Sequence, residues 1–519
     1  MGVYISLNLS DSITQKEWNA VYEKSLIMAE KFGFYEYAEK EISDVPVKCL
    51  IPTKERELWE GVGWRVIGSF PEYQRGEEQF TPKFFGKKSY NGPKFDVLRF
   101  YEQDYASMSI GKHTRSYIWN NKTQGAPYHM YLLAIGCMAE QMLGVQAIIR
   151  GDITYGQCVK AAKMATDVLG EEIVPPVSCR LEALYERINR LDDLDEYSKL
   201  NILKNIYIGV DYNKFGELQK KHFSEETIRK YWGEKLKIVG IETIGFSVVM
   251  QEYFSENDDL KRFCNLADFD KSDKEKCTEL IRKILGCSMH VKEKDCYDPF
   301  DLKQRSDPYD VDSLFASFFS GMVCDPVVDR FIPLEEMRKV FTECFGDILN
   351  VDEVIDSYLE EKNNSIETIL EETIKKHTAS SDSDESDDDD PEYDVYDYED
   401  MVNYKPGCTF FPEFLASIKR SFKTYVSLNE SEEFKELMTR SQKYLFEILA
   451  LNIRSYMFTY DHWKTIYREL MRDKEAFRRY YPMLRVSRDG KYAFLIRAFV
   501  TDDDFWKFCC ENYEAENKS

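Results

Sequence analysis

The chain has 519 residues, 43% of them hydrophobic and 14% aromatic, with a formal charge of −24. That length exceeds what one hydrophobic core supports, and the apolar content is enough to offset ordering entropy, so several folded units are implied and a fibrous or wholly disordered chain is excluded. The negative balance argues against general nucleic-acid binding, which draws on Lys and Arg displacing counterions from phosphates, and it favours partners that are neutral or basic.

The first segment, "MGVYISLNLSDS", has no basic stretch followed by an apolar run, and no apolar segment approaches the roughly 18 residues that would span a bilayer. A cytoplasmic protein without membrane segments is expected. The alternation of Val3, Ile5 and Leu7 with Tyr4, Ser6 and Asn8 predicts a half-buried strand. Thr14 and Glu17 form a capping-box pattern for a helix that runs to about Phe32 and stops at Gly33. Strands are expected at "VKCLIP" and "GWRVIGSF", then long loops from about 70 to 105.

Residues 111–136 read "GKHTRSYIWNNKTQGAPYHMYLLAIG", a polar and aromatic loop before an apolar helix. Pro127 suits its first turn and Gly144 its end, "VQAII" suits a buried strand, and a second helix follows from about Tyr155 to Gly170, with Thr154 and Gln157 as another capping box. From about Cys179 to Lys376 amphipathic helices dominate, including "LEALYERINRL", "KEKCTELIRKILG" and "LEEMRKVFTECFG", without a fixed repeat period.

Residues 379–400 hold twelve acidic residues and no basic one, which predicts a self-repelling disordered linker. By contrast, residues 404–500 carry 18 Lys and Arg against 11 Asp and Glu. This region reads as long helices, a hairpin near 484–496 turning at Asp489-Gly490, and a last helix from Asp502 capped by Thr501. The expected architecture is α+β and predominantly α-helical: an α+β domain over 1–175, an irregular helical domain over 176–377, an acidic linker over 378–403 and a helical module over 404–519.

Four groups of residues carry possible chemistry. In the loop from Lys112 to His129, Arg115, Trp119, Asn120, Asn121, Lys122 and Gln124 offer charge, paired amide donors and acceptors, and a stacking face for an anionic or planar ligand. His113, His129 and Asp152 could supply an acid-base set. The competing expectation is that this loop folds over the domain and spends its amides on its own backbone. Cys158 sits in a first helical turn, but Ala161, Ala162, Ala165 and Leu169 place it on the core stripe of that helix.

Cys287, His290 and Cys296 are zinc-type ligands with poor spacing; Cys277, ten residues earlier, falls on the apolar side of its helix. The thirteen cysteines are odd in number and follow no framework, so reduced thiols without structural disulfides are expected, Cys509 and Cys510 among them. No motif calls for a cofactor or cradles phosphate. Finally, Arg468, Arg472, Arg478 and Arg479, with Lys464, Arg485 and Arg488, form a basic face over 464–491 that could meet a partner, nucleic acid, or the acidic tract itself.

Three functions follow as expectations. The first is an intracellular macromolecule-binding protein, of adaptor, regulatory or immunity type, acting through helical surfaces. The second is a hydrolase or transferase with a pocket formed by 112–129 and 150–158. The third is a nucleic-acid-associated regulator using 464–491.

Overall fold

The computed structural model describes residues 3–70, 74–103, 107–257, 259–292, 330–362, 401, 404–452, 458–485 and 492–517. In chain order the strands are β1 (Ile5–Ser10), β2 (Phe34–Ile42), β3 (Val45–Pro52), β4 (Arg56–Leu58), β5 (Gly61–Ser69), β6 (Arg75–Pro82), β7 (Ser109–Ile110), β8 (His113–Ile118) and β9 (Ala147–Gly151). Among them lie α1 (Gln15–Lys31) and α2 (Tyr128–Leu143), and α3 (Tyr155–Leu169) follows. The helical middle contributes α4 (Leu181–Asn189), α5 (Glu196–Ile206), α6 (Tyr212–His222), α7 (Glu225–Ile238), α8 (Ile244–Glu256), α9 (Leu260–Leu266), α10 (Lys274–Gly286), α11 (Leu334–Phe345) and α12 (351–362). The C-terminal part adds α13 (Pro412–Ser427), α14 (Glu432–Leu437), α15 (Gln442–Asn452), α16 (Tyr460–Arg472), α17 (Phe477–Tyr480), α18 (Tyr492–Thr501) and α19 (Asp503–Asn517). The architecture is α+β and mainly α, as the sequence implies.

Local signals explain many of these elements. Thr14 and Glu17 close a reciprocal cap on α1, the Thr14 amide donating to Glu17 Oε2 at 2.9 Å and the Glu17 amide to Thr14 Oγ1 at 3.3 Å. Thr154 and Gln157 do the same for α3, and α2 ends at Gly144. Such caps satisfy amides that the first helical turn leaves without partners.

The strands form two antiparallel sheets. One has the order β7-β8-β1-β9, with Leu7 registered between Ile118 and Ile149. Both faces of β1 are covered. Ile5, Leu7 and Leu9 join α1, α2 and α3 in one core, while Ile148 on neighbouring β9 belongs to the core of the helical middle. The second sheet has the order β3-β2-β5-β4, with β6 also on β5. Its β2-β3 hairpin turns through Ser43 and Asp44, both at positive φ, as a two-residue loop matching the strand twist requires.

Ile42, Val45, Val47, Cys49 and Ile51 of that hairpin share a core with Phe422, Trp463, Ile466, Phe477 and Phe499 of the C-terminal helices. The junction is also hydrogen-bonded: the Leu50 amide donates to the Phe458 carbonyl at 2.8 Å and Trp463 Nε1 to the Lys48 carbonyl at 3.1 Å. The chain's two ends are therefore one packed body, and the edge of β3 is covered, as an exposed edge otherwise invites pairing with another chain.

Four sequence expectations change. The interval 70–105 contains β6 and the turn Val97–Tyr101, buried except at Arg99; β6 reads "RGEEQFTP", too polar for its alternation to stand out. Residues 113–118 of the anticipated loop are strand β8. In place of the second strand of the hairpin near 484–496 there is helix α18, because "AFLIRAFV", apolar except for Arg497, suits a buried helix as well as a strand, and Leu495, Ile496, Ala498 and Phe499 bury against the C-terminal core. The cap of α19 is Asp502, whose Oδ1 accepts from the Phe505 amide at 2.8 Å, while Thr501 Oγ1 donates back to the Arg497 carbonyl. The acidic tract 379–400 lies outside the described residues, as do Asp489 and Gly490, whereas Met401 is buried in the C-terminal core.

Candidate functional site

Strand β8, between β7 and β1, carries His113 and Arg115 next to β1 and the β1-α1 connection. His113 Nδ1 lies 2.9 Å from Asp11 Oδ1, Lys87 Nζ lies 3.0 Å from Asp11 Oδ2, and Phe95 stacks on the imidazole at 4.0 Å. Burial raises the Asp11 carboxyl, but hydrogen bonds from His113 and Lys87 outweigh it and leave the group below its usual range. Arg115 donates to Asn8 Oδ1 at 3.0 Å and Tyr101 Oη at 3.2 Å, and Tyr101 also receives the Arg150 guanidinium 5.6 Å from its ring. This cluster ties the first sheet to the Val97–Tyr101 turn.

The remaining residues of the segment turn inward or onto backbone. Trp119 is buried, at φ 60°, and Nε1 donates to Thr81 Oγ1 at 2.8 Å. Asn121 clasps β6, Nδ2 donating to the Glu78 carbonyl at 2.6 Å and its own carbonyl accepting from Gln79 Nε2 at 2.7 Å. The Lys122 amide donates to Glu77 Oε2, and the Lys122 ammonium lies 6.0 Å from the Tyr4 ring centre. Asn120 and Gln124 are exposed.

His129 is in the first turn of α2, fully buried, with Nδ1 2.8 Å from Thr123 Oγ1; burial pushes its pKa down to about 4. Asp152 Oδ2 accepts from the Tyr4 amide at 2.8 Å, and the Asp152 amide donates back to the Tyr4 carbonyl. Next to it Gly151 adopts φ 139° where a Cβ would stand 2.3 Å from the Tyr4 carbonyl oxygen. The His113 side chain is thus joined to Asp11, that of His129 to Thr123 and that of Asp152 to the Tyr4 amide, while the Asp152 backbone, not its carboxylate, acts on His129 and opposes the effect of burial. The partner of His113 precedes it by 102 residues and carries no motif linking the two.

Cys158 is buried on the core stripe of α3. Cys277 Sγ donates to the Lys271 carbonyl at 3.4 Å, Cys287 is buried at the end of α10, and burial together with Lys362 holds the His290 imidazole below its ordinary range. Cys296 lies outside the described residues. Among the described residues no group of three or more His, Cys, Asp or Glu side chains is placed to hold a metal ion.

On the C-terminal basic face, Arg478 is engaged by Glu475 at 2.6 Å, Arg479 by Asp503 at 2.7 Å and Arg485 by Glu433. Lys464 pairs with Asp461 at 2.5 Å, and Arg468 donates to the Lys464 carbonyl and Thr465 Oγ1. Arg472 is exposed. Arg488 lies outside the described residues.

Among the described residues, concavities also lie elsewhere. A groove of about 740 Å³ runs between α8, α10 and α12, with Met250, Ser247 and Gly286 in its lining and Lys274, Arg282, Lys283 and Tyr358 around them. Arg282 is held across it by Glu361 of α12. A smaller cleft of about 410 Å³ lies between the Gly144-Val145 turn, the Val174–Val177 segment and α4, where Arg180, Arg187 and Arg190 project. Arg187 is committed to Asp96 through two bonds of 2.8 and 2.9 Å. The Glu140 carboxylate at the cleft is likewise taken up by the amides of Val177 and Ile149.

Against known proteins, no family model matches the chain, and no curated protein or solved structure matches it.

Proposed function

We propose that this chain binds another protein, as an adaptor, regulatory or immunity-type component, through the groove framed by α8, α10 and α12, and that the partner is neutral or basic overall. The observation that carries the reading is the placement of this groove. It is larger than the cleft beside α4, it is built wholly from helices, and its mixture of an apolar methionine with flexible cationic and acidic side chains suits a peptide or helix laid along it. Three of the side chains that could have served small-molecule chemistry at 112–129 are meanwhile spent within the fold, Trp119 on Thr81, Asn121 on Glu78 and Arg115 on Asn8 and Tyr101.

The test is quantitative capture from the native cell by the full chain and by a Ser247→Trp/Thr278→Trp variant that fills the groove. A partner retained by the parent and reduced at least about tenfold by the filled groove, a loss of about 1.4 kcal/mol in binding, supports the reading. Equal retention by both overturns it.

The Asp11–His113 pair favours a second reading, a hydrolase or transferase. A carboxylate on Nδ1 fixes the ring and leaves Nε2 for proton transfer. Under that reading His113→Asn abolishes turnover while leaving partner capture intact.

A further inference from the structure

Among the described residues two pairs of cysteine thiols meet, and they differ in access. Cys158 of α3 lies against Cys179, and both are buried. Cys264 of α9 lies against Cys344 of α11, the thiols in hydrogen-bond contact where the two helices pack. Cys264 is fully buried, but Cys344 is half-buried in the last turn of α11 and reaches solvent.

Two lysines flank the second pair. Lys271 Nζ is fixed on the carbonyls of Cys264 and Ala267 at 2.8 and 2.6 Å, and Lys261 stands on the rim in a 2.8 Å ion pair with Glu343. The Cys264 hydrogen bond, with help from Lys261 and Lys271, lowers the Cys344 thiol against the opposing effects of burial and of Glu343. That lowering favours the thiolate at Cys344, the form that is nucleophilic. Contact with Cys179 and burial push Cys158 the other way, far above the usual thiol range.

We propose that Cys264 and Cys344 form an oxidative modification site whose substrate is a hydroperoxide and whose product is a disulfide tying α9 to α11. The Cys344 thiolate attacks one peroxide oxygen, a sulfur-oxygen bond forms as the oxygen-oxygen bond breaks, and the leaving hydroxide takes up the proton that Cys344 gave to solvent. The sulfenic acid on Cys344 is then attacked by the Cys264 sulfur, a disulfide forms, and the sulfenic oxygen departs as water with the Cys264 proton. Two thiols lose two electrons and one hydrogen peroxide becomes two waters. Cys158 and Cys179 have the contact without the access, so they stay reduced. This step is independent of what the groove binds.

The test treats the fully reduced chain with a graded series of hydrogen peroxide, blocks remaining thiols with an alkylating reagent and maps peptides by mass spectrometry without reductant. The expected result is a Cys264–Cys344 cross-link, lighter by two hydrogens and reversed by dithiothreitol, appearing at least about tenfold faster than any oxidation of Cys158. In Cys264→Ser the cross-link is lost and Cys344 is instead labelled by a dimedone-type sulfenic-acid probe; in Cys344→Ser, Cys264 stays reduced. The proposal is overturned if Cys264 and Cys344 remain alkylatable at peroxide levels that oxidise other thiols. It is equally overturned if Cys344 pairs with Cys296 or Cys324, or if Cys158 and Cys179 cross-link as readily. The mapping on the parent chain decides the matter even where a variant fails to fold.

Discussion

Lys204 and Glu256 bring opposite charges into the middle of the helical core. Both side chains are essentially unexposed, at 1% and 2%, with Gln219 Nε2 donating to the same Glu256 oxygen at 3.0 Å and the Lys204 ammonium 4.2 Å from the Trp232 ring centre. Burial pushes Lys204 down and Glu256 up, and each opposes the shift of the other. Removing one member strands the other in a dry site. Lys204→Met is therefore expected to cost about 3–5 kcal/mol, whereas Lys204→Met/Glu256→Leu should recover much of that loss. Urea denaturation of both variants and the parent checks the pair, and equal destabilisation by single and double variants would count against a coupled buried ion pair. Neither residue stands out in the sequence, because Lys204 and Glu256 read as ordinary polar positions on amphipathic helices and only tertiary packing turns them toward one another.

The start of α16 carries a cap with an unusual partner. Thr459 is a recognisable cap, and the residue three positions on is His462, where the pattern usually has Glu or Gln. The structure nevertheless has the reciprocal pair: the His462 amide donates to Thr459 Oγ1 at 3.2 Å and the Thr459 amide to His462 Nδ1 at 3.3 Å. An imidazole can accept that bond only when neutral. Burial, with Arg497 nearby, lowers its pKa to about 4. Because the folded value lies below the unfolded value of about 6.5, the unfolded chain binds the extra proton between those limits. The contribution to stability is therefore complete above pH 6.5 and is lost as pH falls toward 4, by about 1–2 kcal/mol at pH 5. His462→Gln keeps the capping geometry without the titration. It should match the parent in urea midpoint at pH 7 and exceed it at pH 5; a parallel decline of both would refute the assignment. The same contrast runs through the other elements. Thr14-Glu17 and Thr154-Gln157 announced α1 and α3, and Gly144 announced the end of α2. The Ser43-Asp44 turn carries no clear sequence signal because its positive-φ residues are not the usual Asn-Gly, and β8 carries none because its "HTRSYI" alternates polar with polar. At the candidate site, the residue types of 112–129 were legible, but what each would touch was not: Asp11, Thr81 and Glu78 are distant in sequence.

At the scale of the whole molecule, composition and charge place the acidic tract as the natural seam of the chain, yet the parts on either side of it are joined. Val45, Val47, Cys49 and Ile51 of β3 and its turn are buried in the same core as Trp463, Ile466 and Leu470 of α16, and Leu50 and Lys48 add main-chain hydrogen bonds across the junction. An interface of that kind depends on apolar burial, which salt does not screen, whereas a charge contact between the tract and Arg468 or Arg472 would fade within a Debye length of about 3 Å at about 1 M salt. Introducing a protease site within 379–400 and cleaving the folded protein is therefore expected to leave two fragments that co-elute in size-exclusion chromatography at both low and high salt. Dissociation at high salt alone would mean that charge holds the ends together. A Trp463→Ala change, which empties the centre of this junction at a cost of about 3–5 kcal/mol, is expected to release the C-terminal fragment after cleavage while Lys464→Ala on the solvent side of the same helix is not.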